Sequence, residues 1–476
     1  MNMIQEKVID CKEFEEKLYA EMCKIGCELY REALSAWDYE LHKVRDKSIY
    51  RDKGKRKTML KTLMGEVEYS RHVYTFVDEN GRVGTVYLLD KAIGREYSGF
   101  FSEAIIERIS SSICEMTFRA TANEISSLTG QTISHTAVWN VTQQLGEQID
   151  EVEVEKAAIA QQNNGLGELE TKLLFEEQDG IYLHLQGKSR KKHGKSKEMK
   201  LAIAYDGAVE SGKNRYELTN KVACANFESA GKFRRRKEGV IADVYNVYEV
   251  EMRVLNGDGA NWIKKSADFD TIYQLDPFHR NRAILRAAPD EPARVEMLKL
   301  LYTKRIDELL TYIDALANSV EDEEIEIKLR ELHKYFSNNF DGLVAYNQRG
   351  IELPKPPKGK GYRTLGAMES NVFSIIGNRM KGRRKSWSVN GGNNLARLLC
   401  LKHTGKLYKT VSSLSSQMPE KYAEEVITLS STKMRMKVGN GWNGFRKATV
   451  PPSQKWLKDM TAMIPFSEMR QLRHYL

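Results

Sequence analysis

The sequence contains no CxxC pair; its six cysteines, Cys11, Cys23, Cys27, Cys114, Cys224 and Cys400, are scattered. This excludes the usual zinc-clip and dithiol motifs, and a chain this long does not need a disulfide framework, so a cytoplasmic setting is expected. The start, Met1-Asn2-Met3-Ile4-Gln5-Glu6-Lys7, lacks the apolar centre of a secretory signal. Nowhere does an uninterrupted apolar run approach the roughly 18 residues that span a bilayer. An acidic excess is also missing: 74 Lys and Arg against 65 Asp and Glu leave a formal charge of +9. That balance suits a polyanionic partner better than it suits a small acidic enzyme.

What is present reads as globular protein, 41% hydrophobic and 29% charged, and 476 residues exceed one compact core. Residues 1–45 have helical apolar spacing, with Cys23 and Cys27 on one core-filling face. A basic run, Lys53-Gly54-Lys55-Arg56-Lys57, leads into β-rich stretches on either side of Asn80-Gly81, a hairpin signal. Residues 1–96 are therefore expected to form a helical and small β module. Residues 97–150 turn helical, and residues 120–141 carry a helix, a Gly130 turn and a second helix capped by Ser134. That helix-turn-helix pattern would offer His135, Thr136 and Asn140 to a DNA groove; the alternative is an ordinary helical hairpin. Residues 151–167 read as a linker.

Beyond the linker, strands are expected at 173–185, 200–205, 216–227, 252–256 and 271–275. Helices are expected near 239–248, over 279–287, in the charged 290–345 stretch (294–315 and 323–336) and from 366 to about 380. Strands first in succession and then alternating with helices imply an α/β mixed sheet.

Three carboxylates stand out. Asp179 lies within a strand and Asp258 just after one, and each alone reads as a turn residue. Glu369 is more telling: Val372, Phe373, Ile376 and Met380 follow it at three, four, seven and eleven positions, so it begins an apolar, inward-facing helical stripe; the alternative is a Glu favoured near a helix N-terminus by the dipole and pointing to water. A buried carboxylate needs a partner. Hard divalent cations take carboxylate oxygens, and two such ions can serve phosphodiester chemistry. Two strands and a helix delivering three carboxylates is the RNase H-like solution.

The order Gln178-Asp179-Gly180, Gly257-Asp258-Gly259-Ala260, Asp276-Pro277-Phe278-His279 and Met368-Glu369-Ser370-Asn371 resembles the DDE transposases of the Mutator-like superfamily. More closely, it is similar to the ISLre-type insertion-sequence transposases, long catalogued as an uncharacterised protein family. Arg379-Met380-Lys381, Ser386-Trp387-Ser388 and Gly391-Gly392-Asn393-Asn394 resemble that family's terminal block. The resemblance implies an RNase H-like core at 168–288 and 361–400, interrupted by an all-α insertion at 289–360 and followed by a basic region at 401–476. It implies Asp179, Asp258 and Glu369 as catalytic ligands of two Mg²⁺ or Mn²⁺ ions. Asp276 and His279 are implied as supporting residues, Asp276 competing with Asp258 for the second position. His279 is a ligand or a packed core histidine; Trp387 stacks on a base or sits in the core.

Residues 187–200 carry seven Lys or Arg and one acid, and residues 379–409 carry nine and none. These runs fit phosphate-backbone binding, with Lys188, Arg190, Lys191, Lys192, Arg379, Lys381, Arg383, Arg384 and Trp387 as the contacts. Residues 433–447 add further positive charge. The expected partner is double-stranded DNA, transposon ends and target, bound by a homodimer or larger synaptic assembly at the nucleoid. A non-catalytic DNA-binding regulator and an RNase H-like nuclease or resolvase are the alternatives.

Overall fold

A computed structural model describes residues 10–95, 100–162, 167–213, 215–267, 271–382 and 384–414. These fall into two compact units, 10–95 and 100–414.

In the first unit α1 (Cys11–Val44) starts at Asp10, whose carboxylate accepts from the Glu13 N–H. Its buried Leu34 and Trp37 share a core with Leu60, Val67, Tyr69 and Leu89. Strand β1 (Arg51–Thr62) pairs antiparallel with β2 (Gly65–Val77), and β2 with β3 (Val83–Val86). The expected hairpin around Asn80-Gly81 is the β2–β3 pair. The basic run 53–57 is not an approach to the β module but lies inside β1, where the backbone pairing of Lys55, Arg56 and Lys57 with β2 outweighs their polarity. Leu88 and Leu89 do not extend β3; they open α2 (Leu88–Ala92).

The second unit begins with α3 (Glu103–Glu115), α4 (Phe118–Thr129) and α5 (His135–Gln161). Ser134 caps α5 by accepting from the Ala137 N–H. Most of the expected linker is helix: α5 runs through 151–161, and its Asp150 and Glu153 are tied to Arg236 and Arg397 on other helices.

A five-stranded mixed sheet follows: β4 (Leu173–His184), β5 (Ser196–Tyr205), β8 (Val222–Asn226), β9 (Met252–Gly257) and β10 (Thr271–Leu275), in spatial order β10-β9-β4-β5-β8. β4, β5 and β8 are antiparallel neighbours, whereas β9 and β10 run parallel to β4. The single strand expected at 216–227 is interrupted. A two-stranded hairpin, β6 (Ala208–Gly212) and β7 (Arg215–Leu218), precedes β8, and the break falls where Asn220 adopts a φ of 52°.

Helices cover both faces of the sheet. On one side α7 (Ala230–Ala242) buries Phe233 and Ile241 against Ala202, Ala204 and Cys224. On the other, Phe175, Ile181 and Leu183 of β4 share a core with α3 to α5 and with the helices after residue 368. α7 therefore starts nine residues earlier than the periodicity of 239–248 suggests. Its Arg236 and Lys237 are buried and its Glu238 half-buried, each charge meeting a partner.

A short helix, α8 (Asn261–Lys264), lies between β9 and β10, and α9 (Pro277–Ala287) follows β10. The helix expected over 294–315 is two helices, α10 (Glu291–Tyr302) and α11 (Ile306–Ser319), broken where Lys304 takes a φ of 63°. With α12 (Glu323–Asn338) they build a separate core around Met297, Leu309, Ile313, Leu329 and Phe336. The chain then returns through α13 (Met368–Asn371), a π-helical turn (Val372–Gly377), α14 (Asn378–Met380), α15 (Val389–His403) and α16 (Leu407–Ser413). Among the described residues no helix is long and apolar enough to cross a membrane.

Candidate metal centre

The parallel register of β4 and β9 places Gln178 opposite Gly257, so Asp179 on β4 is followed alongside by Asp258, one residue past the end of β9. Asp179 is 8% exposed, and its carboxylate accepts from the Gly180 N–H at 2.7 Å. Burial pushes this carboxyl up to about 6, helped by the nearby Asp258 and Glu369 charges and opposed by Gly180 and His279. Asp258 leaves its strand at a turn in which Gly259 has a φ of 92°, a conformation that suits glycine. Its carboxylate accepts from the Ala260 N–H at 2.8 Å, and its carbonyl from the Tyr335 hydroxyl at 2.7 Å.

Ligand atoms of Asp179, His279 and Glu369 lie within 4.8 Å of one another. Asp258 is near enough to act on Asp179 and His279 through its charge but stands outside that trio. Asp276 belongs to a different layer. It caps α9, accepting from the Phe278 and His279 N–H groups and from the His279 ring on one oxygen, and from Asn256 on the other. Burial alone would raise this carboxyl, but the hydrogen bonds from His279 and Asn256 win and hold it low. With both oxygens engaged, Asp276 orients the imidazole and leaves Nε2 for a ligand, the carboxylate–histidine pairing common behind metal ligands. The Asp276 hydrogen bond pushes the His279 imidazole up, against its burial and with help from Asp179.

Glu369 is not buried, contrary to the stripe drawn from its spacing. It is exposed, as is Phe373 at 64%, while Val372, Ile376 and Met380 are buried. The cause is the π-helical turn, where the Asn378 N–H donates to the Phe373 carbonyl five residues back. The extra residue shifts the phase that an unbroken α-helix would keep, so Glu369 and Phe373 face outward together. Such turns recur at functional sites.

A residue that the sequence did not single out ties this arrangement together. Glu177, two positions before Asp179 and on the same face of β4, is fully buried. It accepts from the backbone N–H groups of Gly366, Ala367 and Met368, from the Tyr205 hydroxyl at 2.7 Å and from the Asn256 amide at 2.8 Å. It therefore holds the N-terminal end of α13 directly ahead of Glu369, and through Asn256 it reaches Asp276 and His279. Burial pushes its carboxyl up, against the hydrogen bonds from Tyr205 and Asn256. The sequence did carry a signal: Glu176-Glu177-Gln178-Asp179 is a polar run inside a strand flanked by apolar residues, so several of these groups need buried partners.

The remaining candidates divide by burial. His135, Thr136 and Asn140 are exposed on the first turns of α5. Lys188, Arg190, Lys191 and Lys192 are exposed on the short helix α6 (Gly187–His193). Lys381 and Arg384 are exposed, whereas Arg383 and residues 433–447 lie outside the described residues. The two basic segments meet: the Gln186 N–H donates to the Trp387 carbonyl, and the Val389 N–H to the Ser189 hydroxyl. Two residues do not belong to a DNA-facing surface. Arg379 is 6% exposed, donates to the Ile113 carbonyl and lies over the Phe118 and Trp387 rings. Trp387 is 8% exposed, with its indole N–H donated to the Met380 carbonyl. Both are buried in the core, where the Arg379 Nε–H and the Trp387 indole N–H each reach a backbone carbonyl.

In the first unit, ligand atoms of His42, Asp52 and His72 also come within 4.8 Å of one another. The two imidazoles stack with centroids 4.0 Å apart and 19° between their planes, so one ion cannot lie in both ring planes. The His72 ring instead donates to the buried Asp38, which also accepts from the His72 backbone N–H.

The fold and the trio define an α/β protein with a candidate divalent-cation site of carboxylate and imidazole donors. The chain belongs to the uncharacterised protein family UPF0236, whose family model matches residues 4–417. It is 23% identical over 451 residues to a Streptococcus gallolyticus protein named as the UPF0236 protein in the vanSb 3′ region, covering 92% of each chain. A UPF0236 protein of Caldanaerobacter subterraneus subsp. tengcongensis is 25% identical over 447 residues, covering 89% of this chain and 87% of that one. Another from that organism, whose name joins eleven locus labels, is 23% identical over 442 residues, covering 89% and 87%.

Proposed function

We propose that this chain is a DDE transposase of an insertion sequence, with an RNase H-like core that cuts and joins DNA by divalent-metal chemistry. The observation that carries the reading is the convergence of Asp179, Glu369 and His279, with Asp258 beside them, delivered from two parallel strands and two helices. Among the described residues the buried Asp179 carboxylate has only the Gly180 N–H as a hydrogen-bond partner, so a cation fits its charge. The donor set of hard oxygens and one imidazole suits Mg²⁺ or Mn²⁺. The meeting of two exposed basic segments supports a DNA partner. A relative named for eleven loci of one organism fits a gene that is copied within a genome.

In this reading Asp179, Asp258 and Glu369 hold the metal ions, and Asp276 fixes the His279 ring at their edge. Two bound divalent ions would supply activation of the attacking oxygen and charge neutralisation at the leaving oxygen. Water first attacks phosphorus at the element's end, the P–O3′ bond breaks, and the departing 3′ oxygen takes a proton. The freed 3′-hydroxyl then attacks a target phosphodiester, forming one P–O bond as another breaks, with its proton released to solvent. Lys188, Lys191, Lys192 and Lys381 would neutralise backbone phosphates around this step, and a dimer or larger assembly would bring two ends together.

The test is end cleavage and strand transfer on DNA carrying the element's own inverted repeats, with Mg²⁺ present. Asp179→Ala, Asp258→Ala and Glu369→Ala should each reduce products to background while DNA binding persists. Parental activity in any one variant removes that residue from the site. Binding without nicking by the parent under all metal conditions would favour the regulator reading instead.

A further inference from the structure

On the far side of the turn that carries Glu369 lies a cavity of about 900 Å³, whose walls include the β6–β7 hairpin, Ser370 and Asn371 of α13, and the end of α15. Its lining has three permanent cations, Lys221, Arg363 and Lys406, together with His403, against one carboxylate, Glu217. Among the described residues neither Lys221 nor Lys406 forms an ion pair. Lys221 donates to the Asn371 side-chain oxygen at 3.0 Å. Asp243, whose charge reaches Lys406, is already paired with Lys156 at 2.8 Å, and Asp206 is paired with Lys360. Burial lowers both lysines, which is the electrostatic cost of cations held away from water without an anion. At the rim the Arg363 guanidinium sits 3.3 Å from the centroid of the Tyr216 ring, and Tyr216 is 40% exposed. A cationic floor and a flat, partly open aromatic–guanidinium pair make up one recess.

We propose that this cavity binds a nucleoside phosphate, its phosphate on Lys221 and Lys406 and its base against the Tyr216–Arg363 pair. The charge balance favours an anion, because the three cations outnumber Glu217 by two. Base stacking on an aromatic ring or a guanidinium plane tolerates any base, so the site selects the nucleotide class rather than a sequence. The inference uses none of the three carboxylates of the candidate metal centre and stands apart from the transposase reading. The occupant would nonetheless touch Ser370 and Asn371, the residues immediately after Glu369. Two sources share this chemistry, a free mononucleotide and a nucleotide within a single DNA strand.

Binding is measured on the full chain in EDTA, where metal-dependent cleavage is silent. The probes are inorganic phosphate and adenosine monophosphate by thermal shift, and a short fluorescein-labelled single strand by anisotropy. The parent should bind adenosine monophosphate more tightly than phosphate. Lys221→Gln with Lys406→Gln should weaken every phosphate probe by about tenfold or more, the scale of a lost charge-assisted hydrogen bond. The exposed Arg363→Ala, which leaves the core untouched, should erase the preference for the nucleotide over phosphate. Asp179→Ala should bind all probes like the parent, which separates this inference from the fate of the cleavage assay. Stabilisation by the mononucleotide assigns the free ligand; a response to the strand alone assigns DNA. Unchanged affinities in both the double lysine and Arg363 variants, or no binding by the parent, overturn the proposal.

Discussion

Glu177 shows what a single buried acceptor does for a site it does not touch. Its two oxygens take five donors, three of them backbone N–H groups that would otherwise be orphans at the start of α13. In Glu177→Gln an amide NH₂ replaces one acceptor and points a donor at donors. The expected result is a loss of about 10- to 100-fold in Mn²⁺ affinity at the candidate centre, the usual range for groups behind metal ligands, read by metal titration. Glu177→Asp retracts the carboxylate by one carbon and should recover part of that affinity, whereas a parental affinity in the Gln variant would show that the helix end is held some other way. The candidate ligands were legible because their order along the chain resembles a family pattern. Glu177 was not, since nothing in a linear sequence distinguishes an acid that binds a cation from one that binds a helix terminus 190 residues later.

At the scale of elements, α5 is the spine against which α7 and α15 close. Gly146 of α5 meets α15 so tightly that an added Cβ would lie 2.6 Å from the Asn394 Cα, and a Cβ at Gly239 of α7 would lie 2.6 Å from the Ala157 Cα of α5. Backbone atoms cannot swing aside as a flexible side chain can. Gly146→Ala and Gly239→Ala should each cost about 1–3 kcal/mol of stability by overpacking, visible as lower urea midpoints. Parental midpoints would mean that the helices separate without penalty. The sequence located most of these elements through their apolar period, and β10 coincides with the stretch expected at 271–275. It misjudged those whose polar residues are internally paired. The 151–167 stretch looked like a linker because the acids on α5 find their arginines only after α7 and α15 have folded back.

Across the whole sheet, the face opposite Asp179 is held by charge as well as by apolar contact. Glu176 pairs with Lys237 and Arg253, and Glu238 with the same two cations. Burial would raise the Glu238 carboxyl, but Lys237 and Arg253 overcome it and bring it to about 2. A carboxyl depressed in the folded state contributes stability that is complete above its unfolded value, near 4.3, and is lost as pH falls through the folded value. Thermal melts should therefore stay level from neutral pH to about 5 and decline between about 4.5 and 2. Glu238→Gln should flatten part of that decline; an identical acid profile would remove Glu238 as a cause. The mixed architecture was legible from the succession of strands and helices. The β6–β7 hairpin and the cavity beside it were not, because both depend on where Asn220 turns the chain.

The π-helical turn between Glu369 and Arg379 makes one length of helix into two phases. Downstream, Arg379 is fastened to the Ile113 carbonyl, and the Met380 carbonyl to the Trp387 indole. Upstream, the backbone at 366–368 is fastened to Glu177. Each end is clamped to a different part of the molecule, and the surplus residue between them takes up the mismatch. Drawing that surplus into regular α-helix would turn the upstream end by about 100° about the helix axis while the downstream end stayed put. The segment is thus a vernier: one clamp fixes the scale, and the wide turn sets the angle at which the acid is presented.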